Sequence, residues 1–178
     1  MPDLDHPTRA LLLDAALNLA DDNSLTELSI DEIVRAAGVA KGTFYVHFRD
    51  RNEFVVALHD RFHDRLRERI DKAISGMAPG PKRLRRGCAA YLDGCLDAVG
   101  VKAMLAHARG EPSISRKVTE SNDRFARQCA EDVQATGRKH PLEVARLFVA
   151  AAAEVALLEM EGGRQPKLRA ALWELLDA

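Results

Sequence analysis

Apolar side chains recur at every fourth position across residues 54–74 of this chain. The series is Phe54, Leu58, Phe62, Leu66, Ile70 and Ile74. An α-helix returns side chains to one face at this interval, so the pattern predicts a single long helix of about 24 residues. It begins at Asp50, with Glu53 three residues later, and Gly76–Pro81 ends it. Helical spacing without alternating strand patterns elsewhere predicts an all-α fold of about nine helices.

The composition favours helices packed around a core. Hydrophobic residues make up 47% of the chain and aromatic residues only 5%. The longest notable apolar run, Leu147–Ala153, is far shorter than the roughly 18 residues that span a membrane. The N-terminal Met1–Asp5 is acidic and lacks the apolar core of a signal peptide. Three cysteines form no disulfide framework, so we expect a cytoplasmic protein without membrane contact.

The charge is distributed unevenly along the chain. The net charge is −1, but residues 1–60 contain 5 Lys and Arg against 11 Asp and Glu, a net of −6. Within that acidic segment, Arg35, Lys41, Arg49 and Arg51 lie close together in sequence and only Asp50 stands among them. Any surface of this segment that binds nucleic acid must therefore be a small basic patch, since the segment as a whole is acidic.

A short segment contains the start and stop signals of two consecutive helices. Ser29 and Glu32 have the spacing of a capping box, in which each side chain accepts a hydrogen bond from the other's backbone amide. Gly38 ends the first helix, because glycine adopts the left-handed conformation at little cost. The next helix begins a few residues later and extends to about His47. This arrangement predicts a helix-turn-helix unit.

The run Gly38–Phe48 resembles the TetR-like family of bacterial repressors. The family pattern comprises the Gly-Val, Lys-Gly-Thr and aromatic-Tyr-x-His-Phe elements in this order, and the resemblance covers about residues 8–60. It implies a helix-turn-helix DNA-binding domain at 1–50, a long connecting helix at 51–76 and a ligand-binding and dimerisation domain at 77–178. The implied function is a transcriptional regulator that binds double-stranded operator DNA, most often as a repressor released by a small-molecule inducer.

The aromatic spacing predicts which face of the recognition helix is open. Phe44 and Phe48 are four residues apart and are expected to pack this helix against its neighbours. The residues that we expect to meet DNA, by this spacing and by resemblance, are Ser29, Lys41, Gly42, Thr43, Tyr45, His47 and Arg51.

Each of these residue types suits a particular contact. Lys41 can bind phosphate or a guanine edge, and Thr43 can bind phosphate or touch a thymine methyl. Tyr45 and His47 suit phosphate oxygens, which fix register without reading sequence. Gly42 permits a close approach to DNA. Ser29 and Arg51 are predicted at helix N-termini, where free amides favour an anion.

Two residues depart from the family pattern. Ala40 stands where the family has Ser or Thr, which cap the helix, and losing a cap costs about 1 kcal/mol of helix stability. Asp31 opens the preceding helix near a position where some relatives contact bases, which argues against a base contact from that helix. A three-helix packing unit without a DNA partner is the alternative interpretation.

The C-terminal part is predicted to dimerise and to bind a ligand. Small and apolar residues on several faces of Leu142–Glu161 indicate a helix buried on more than one side. By resemblance, this helix and Pro166–Ala178 form a four-helix bundle across a two-fold axis, although an ordinary core helix would show the same pattern. Candidate ligand contacts are Tyr91, Met104, His107 and Phe125, each of which could equally be core.

Other functions have weaker support in the sequence. Cys88 and Cys95 are seven residues apart and could form a redox sensor, but buried unreactive thiols explain them better. His59 and His63 have the spacing of two metal ligands, without a third nearby and on a charged helix expected to be solvated. We expect no catalytic residue, metal or cofactor. Rival interpretations are a ligand- or partner-binding protein that no longer reads DNA, and a small helical enzyme.

Overall fold

The computed structural model describes residues 6–22, 29–107 and 110–177, without the side chains of residues 20–22, 104, 107, 176 and 177. Across these ranges the chain forms nine α-helices and no strand, as the sequence predicted. The helices are α1 (Pro7–Asp22), α2 (Ile30–Ala36), α3 (Lys41–His47), α4 (Arg51–Ile74), α5 (Pro81–Asp97), α6 (Val99–His107), α7 (Pro112–Gln134), α8 (Pro141–Gly162) and α9 (Pro166–Asp177). No described helix is long and apolar enough to cross a membrane.

The described residues form two compact units that do not follow the order of the chain. Unit 1 draws on Met1–His63 and Ala98–Lys117, and unit 2 on Asp64–Asp97 and Val118–Ala178. Helix α4 runs without a break from one segment into the other. The three-part domain division expected from the sequence remains a prediction.

Unit 1 is built around an aromatic cluster where α3 meets α4. Phe44, Phe48 and Phe54 lie with their ring centroids 5.0–5.2 Å apart, and all three are buried. The guanidinium of Arg9 lies 4.7 Å from the centroid of Phe48, in a cation–π contact. These contacts fix the short helix α3, which is too short to be stable on its own.

Local capping sets the helix boundaries around α2 and α4. Ser29 and Glu32 form the predicted capping box in full. Gly38 has a φ of +67°, a conformation that suits glycine, so the chain turns there into α3. Asp50 caps α4, because its Oδ1 accepts a hydrogen bond from the Glu53 amide at 2.8 Å. The three boundary signals predicted from the sequence are confirmed.

In unit 2, side chains from the second half of α4 lie over two glycines of α5. A Cβ atom placed on Gly94 would come within 2.7 Å of a methyl carbon of Leu66. One placed on Gly87, two turns earlier, would lie 3.4 Å from methyl carbons of both Ile70 and Ile74. The absence of side chains at these glycines leaves room for the methyl groups of Leu66, Ile70 and Ile74. On its other side α5 packs against α8, which in turn packs against α9.

Candidate nucleic-acid interface and ligand cavity

Helix α3 has one buried and one exposed face. Phe44 and Phe48 are 0% exposed, whereas Tyr45 is 52% exposed. Lys41 and Gly42 are also exposed, and Thr43 is half-buried. A Cβ atom on Gly42 would meet nothing within 4 Å, so the fold itself does not require glycine there. The expected open face is therefore present at four of the predicted positions.

The prediction that His47 also faces outward is wrong. Its side chain is buried, and its ring centroid lies 4.7 Å from that of His6. Burial lowers the pKa of His47 below the usual value, and the neighbouring His6 and Arg9 lower it further. The imidazole is consequently neutral at pH 7. Sequence spacing on α3 could not reveal this burial, because His6 and Arg9 belong to the start of the chain.

Lys41 is paired with Asp31, a contact between α3 and α2. Its ammonium nitrogen lies 2.9 Å from Asp31 Oδ1 and 3.1 Å from Oδ2. Both side chains are more than half exposed. The hydrogen bond and the charge of Asp31 raise the pKa of Lys41. The exposed face of α3 thus presents an ion pair and not an isolated cation.

The two remaining candidates for DNA contact lie at the starts of α2 and α4. Ser29 is exposed, and its hydroxyl donates to Glu32 Oε2 at 2.6 Å while accepting from the Glu32 amide. Arg51 is the first residue of α4 and is exposed. Ala40, before α3, has the extended conformation of an N-cap but supplies no capping side chain.

A cavity of about 370 Å³ lies within unit 2. Tyr91 and Phe125 both line it, with their ring centroids 6.0 Å apart in an edge-to-face arrangement. Ile70 and Ile74 of α4 and Phe148 of α8 add apolar wall. The other two sequence candidates, Met104 and His107, belong to α6, and their side chains lie outside the described residues.

Charged residues that the sequence analysis missed form one side of this cavity. Arg83 donates to Asp132 at 2.6 Å and to Glu131 at 2.7 Å, and these hydrogen bonds raise its pKa. Asp132 is buried and also accepts from the Gly80 amide at 2.8 Å. The partners are about fifty positions apart in sequence, and no local pattern joins them. The cavity therefore combines an aromatic and aliphatic wall with an ionic cluster of one arginine and two carboxylates.

Two of the three cysteines are buried and the third, Cys129, is half-buried. Cys88 and Cys129 line the cavity, and Cys88 and Cys95 are buried. Burial raises the pKa of the Cys88 thiol well above its usual value, and burial followed by the charge of Asp132 raises that of Cys129 to about 12. Such thiols are protonated at neutral pH, which favours the interpretation as unreactive thiols over a redox sensor.

The sequence analysis expected the histidine pair of α4 to be solvated, but the two side chains are packed against each other. His59 is only 1% exposed, and its ring centroid lies 4.2 Å from that of His63. Among the described side chains, no group of three or more His, Cys, Asp or Glu could hold a metal ion.

Helices α8 and α9 expose large apolar side chains. Leu147 is 74% exposed, Leu158 is 40% exposed and Leu175 is 57% exposed. Leu147 and Leu158 are eleven residues apart, about three helical turns, so they lie on one face of α8. Large exposed apolar side chains grouped in this way are typical of an interaction surface.

The fold and the α2–α3 pair define a helix-turn-helix protein. Residues 12–58 match the model of the family described as bacterial regulatory proteins, tetR family. This segment is therefore similar to the TetR-like family, as its sequence pattern indicated.

Two curated relatives are each similar to less than half of the chain. The HTH-type transcriptional regulator EthR of Mycolicibacterium smegmatis is 30% identical over 79 residues, which is 44% of this chain and 36% of that protein. The uncharacterized HTH-type transcriptional regulator YwcC of Bacillus subtilis is 41% identical over 49 residues, 28% of this chain and 22% of that protein. The matched part thus spans about a third or less of these relatives.

Solved structures match almost the whole chain. A tetR-family transcriptional regulator from Streptomyces coelicolor is 26% identical with a TM-score of 0.72, over 94% of this chain and 78% of that one. A TetR transcriptional regulator from Rhodococcus sp. RHA1 is 22% identical with a TM-score of 0.68, over 96% and 93%. The second likeness concerns the fold alone.

Proposed function

We propose that this protein is a sequence-specific DNA-binding transcriptional regulator. It represses its target, and a small molecule bound in unit 2 releases it from the operator. The observation that carries the proposal is the two-sided helix α3. Its Phe44 and the following Phe48 are buried, while Lys41, Gly42 and Tyr45 are exposed. Such a regulator acts on the bacterial chromosome and hence in the cytoplasm, and it requires no catalysis.

The DNA contacts follow from the chemistry of the exposed face. Tyr45 supplies a hydroxyl for a phosphate oxygen, Thr43 a second hydroxyl and Lys41 a cation. Ser29 and Arg51 supply polar contacts from the starts of α2 and α4. His47 is buried and neutral in the free protein, so it is the least accessible of the seven candidates.

The regulator acts as a homodimer through α8 and α9. Support comes from the exposed leucines of these helices, which lack cover within the described chain. A dimer also fits operators with two half-sites about one DNA turn apart, because each half-site needs its own α3.

The cavity of unit 2 is the proposed inducer site, with Tyr91 and Phe125 as contacts. Its volume suits a small molecule, and its aromatic wall suits a flat apolar body. An inducer that binds the DNA-free conformation about 1.4 kcal/mol more tightly would lower operator occupancy tenfold. Helix α4 provides the connection, since it contributes Ile70 and Ile74 to the cavity and Phe54 to the aromatic cluster beside α3.

The first test is binding to labelled DNA from immediately upstream of the protein's own gene, with random-sequence selection to follow. Wild type is expected to bind tightly, with affinity falling steeply as salt rises, because phosphate contacts release counterions. The double variant Lys41→Ala, Tyr45→Phe is expected to lose this binding. Lys139→Ala, which removes an exposed lysine of unit 2, is the matched control and should retain it. A dimer that selects no DNA at all would overturn the proposal.

The inducer site needs its own variant. Ala152→Phe places a large ring in the cavity wall, so it is expected to bind the operator but no longer respond to any compound that releases the wild type. Circular dichroism checks that the variant folds. Normal release by the same compound from folded Ala152→Phe would place the inducer elsewhere.

A further inference from the structure

The ion pair between Asp31 and Lys41 joins the first turns of α2 and α3. Asp31 is the second residue of α2, and Lys41 is the first residue of α3. Both oxygens of the carboxylate lie within hydrogen-bonding distance of the one ammonium, at 2.9 and 3.1 Å. An exposed ion pair of this kind adds little to folding stability. Its effect is instead on what the surface can bind.

Each partner has hydrogen-bonding capacity left over. The ammonium has three N–H donors and lies near two oxygens of Asp31, so at least one donor is available. The carboxylate has about four lone-pair sites and uses two of them, so it can accept another hydrogen bond. The pair therefore offers one donor and one acceptor side by side, with a net charge of zero.

The major-groove edge of a C·G base pair presents the complementary groups. Cytosine N4 is a donor that Asp or Glu accepts, and guanine O6 and N7 are acceptors for Lys. We propose that Asp31 and Lys41 act together as one specificity determinant that reads a C·G base pair in each half-site. Asp31 accepts from cytosine, and the remaining N–H of Lys41 donates to guanine.

Asp31 also limits non-specific DNA binding. A carboxylate next to the ammonium repels a phosphate that approaches Lys41, and it offsets the charge that would attract one. Lys41 is thereby directed from the DNA backbone toward the base edges. This assigns a base contact to α2, contrary to the expectation from the sequence, because the carboxylate of Asp31 is paired with Lys41.

The inference rests on the proposed function and is tested with the full-length protein. Wild type and Asp31→Asn are each subjected to random-sequence selection and then measured against the selected operator and against unrelated DNA. Asp31→Asn is expected to lose about tenfold of the discrimination for C·G at one position per half-site, within the range of a good base contact. It is also expected to bind unrelated DNA more tightly and with a steeper salt dependence, since Lys41 is then free to contact phosphate.

One control and one further variant separate this effect from a general change in charge. Glu111→Gln removes one negative charge from an exposed residue of unit 1 outside α2 and α3, and it should leave base preference unchanged. Lys41→Met should lose the same base preference as Asp31→Asn, and the double variant should lose no more than either one. If wild type selects a sequence and Asp31→Asn keeps the same base preference, this inference is overturned. The proposed function as a DNA-binding regulator would still stand. If wild type selects no sequence, the proposed function fails first.

Discussion

Glu159 and Arg169 form a bidentate salt bridge that joins α8 to α9. Nε and Nη2 of Arg169 each donate to a different carboxylate oxygen of Glu159, both at 2.7 Å. Glu159 also accepts from the Gln165 amide at 2.9 Å, and Arg169 donates to Asp93 of α5 at 2.6 Å. Glu159 and Arg169 are buried, so the bond is shielded from water and its loss leaves a charge without its main partner.

Glu159→Gln is expected to lower the free energy of unfolding by about 3 kcal/mol at pH 7, because Arg169 then stays buried without that charge. Urea denaturation measures the loss. Glu161→Gln, at an exposed position two residues later, is the control and should change it by less than about 0.5 kcal/mol. Equal effects of the two substitutions would contradict a stabilising role for the pair.

The same pair predicts a pH dependence. Burial alone raises the pKa of Glu159, but the hydrogen bonds from Arg169 and the Gln165 amide outweigh it and lower the pKa below 4.5. A lowered folded-state pKa stabilises the protein above the unfolded-state value and loses that contribution as pH falls through the folded-state value. The stability gap between wild type and Glu159→Gln should therefore be widest above about pH 4.5 and shrink on acidification. A gap independent of pH would exclude this linkage.

Gly42→Ala separates the demands of folding from those of DNA binding. A Cβ atom there meets nothing in the protein, and alanine favours a helix, so unfolding should cost about 0.5 kcal/mol more. Operator affinity should fall at least about tenfold, because the methyl group intrudes where the helix approaches DNA. Thermal unfolding and a DNA titration check the two effects. Gly110→Ala, also in open space within unit 1, is the control and should leave operator affinity unchanged. Unimpaired operator binding by Gly42→Ala would show that α3 does not contact DNA at this position.

Leu147→Arg tests the proposed dimer surface. The side chain is 74% exposed on α8, so the change costs little within one chain but places a charge in the proposed interface. Sedimentation velocity should show the dimer dissociating at a concentration at least about tenfold higher than for wild type. Leu11→Arg, at an exposed leucine of unit 1, is the control and should leave the dimer intact. Equal dimerisation of both variants would show that the dimer interface does not include this face of α8.

The cysteines are predicted to be inert in the folded protein. With a pKa raised to about 12, Cys129 is almost entirely protonated at pH 8, and Cys88 is shifted further in the same direction. Iodoacetamide should therefore label both at least about 100-fold more slowly in the native protein than in urea, where thiols have their ordinary pKa of about 8.5. Mass spectrometry after timed quenching gives both rates. Rapid native labelling of either residue would reopen the redox-sensor hypothesis.

Local signals predicted local structure well in this chain. The Ser29–Glu32 box, the turn at Gly38 and the start of α4 at Asp50 each depend on residues within a few positions of one another. The repeat from Phe54 to Ile74 likewise fixed α4, because helix periodicity is a property of a single segment. The prediction of an all-α fold and the resemblance to the TetR-like family followed from these features.

Long-range contacts were beyond the reach of sequence patterns. His47 has the spacing of an exposed residue, yet the ring of His6 lies against it. The carboxylates of Glu131 and Asp132 gain their partner Arg83 only when α5 and α7 come together. Such contacts join residues that are forty or more positions apart, and a single sequence holds no periodic signal for them. The Asp31–Lys41 pair spans ten positions and crosses a turn whose geometry had first to be known.

The contact of α4 methyl groups with Gly87 and Gly94 of α5 has a consequence for the cavity. A side chain at either glycine would compete for the space that the methyl groups of Leu66, Ile70 and Ile74 occupy, so these groups would have to shift. Ile70, Ile74 and Gly87 also line the cavity. The shape of the cavity wall therefore depends on a residue that contributes no side chain to it, and a larger residue at position 87 would change which molecules fit.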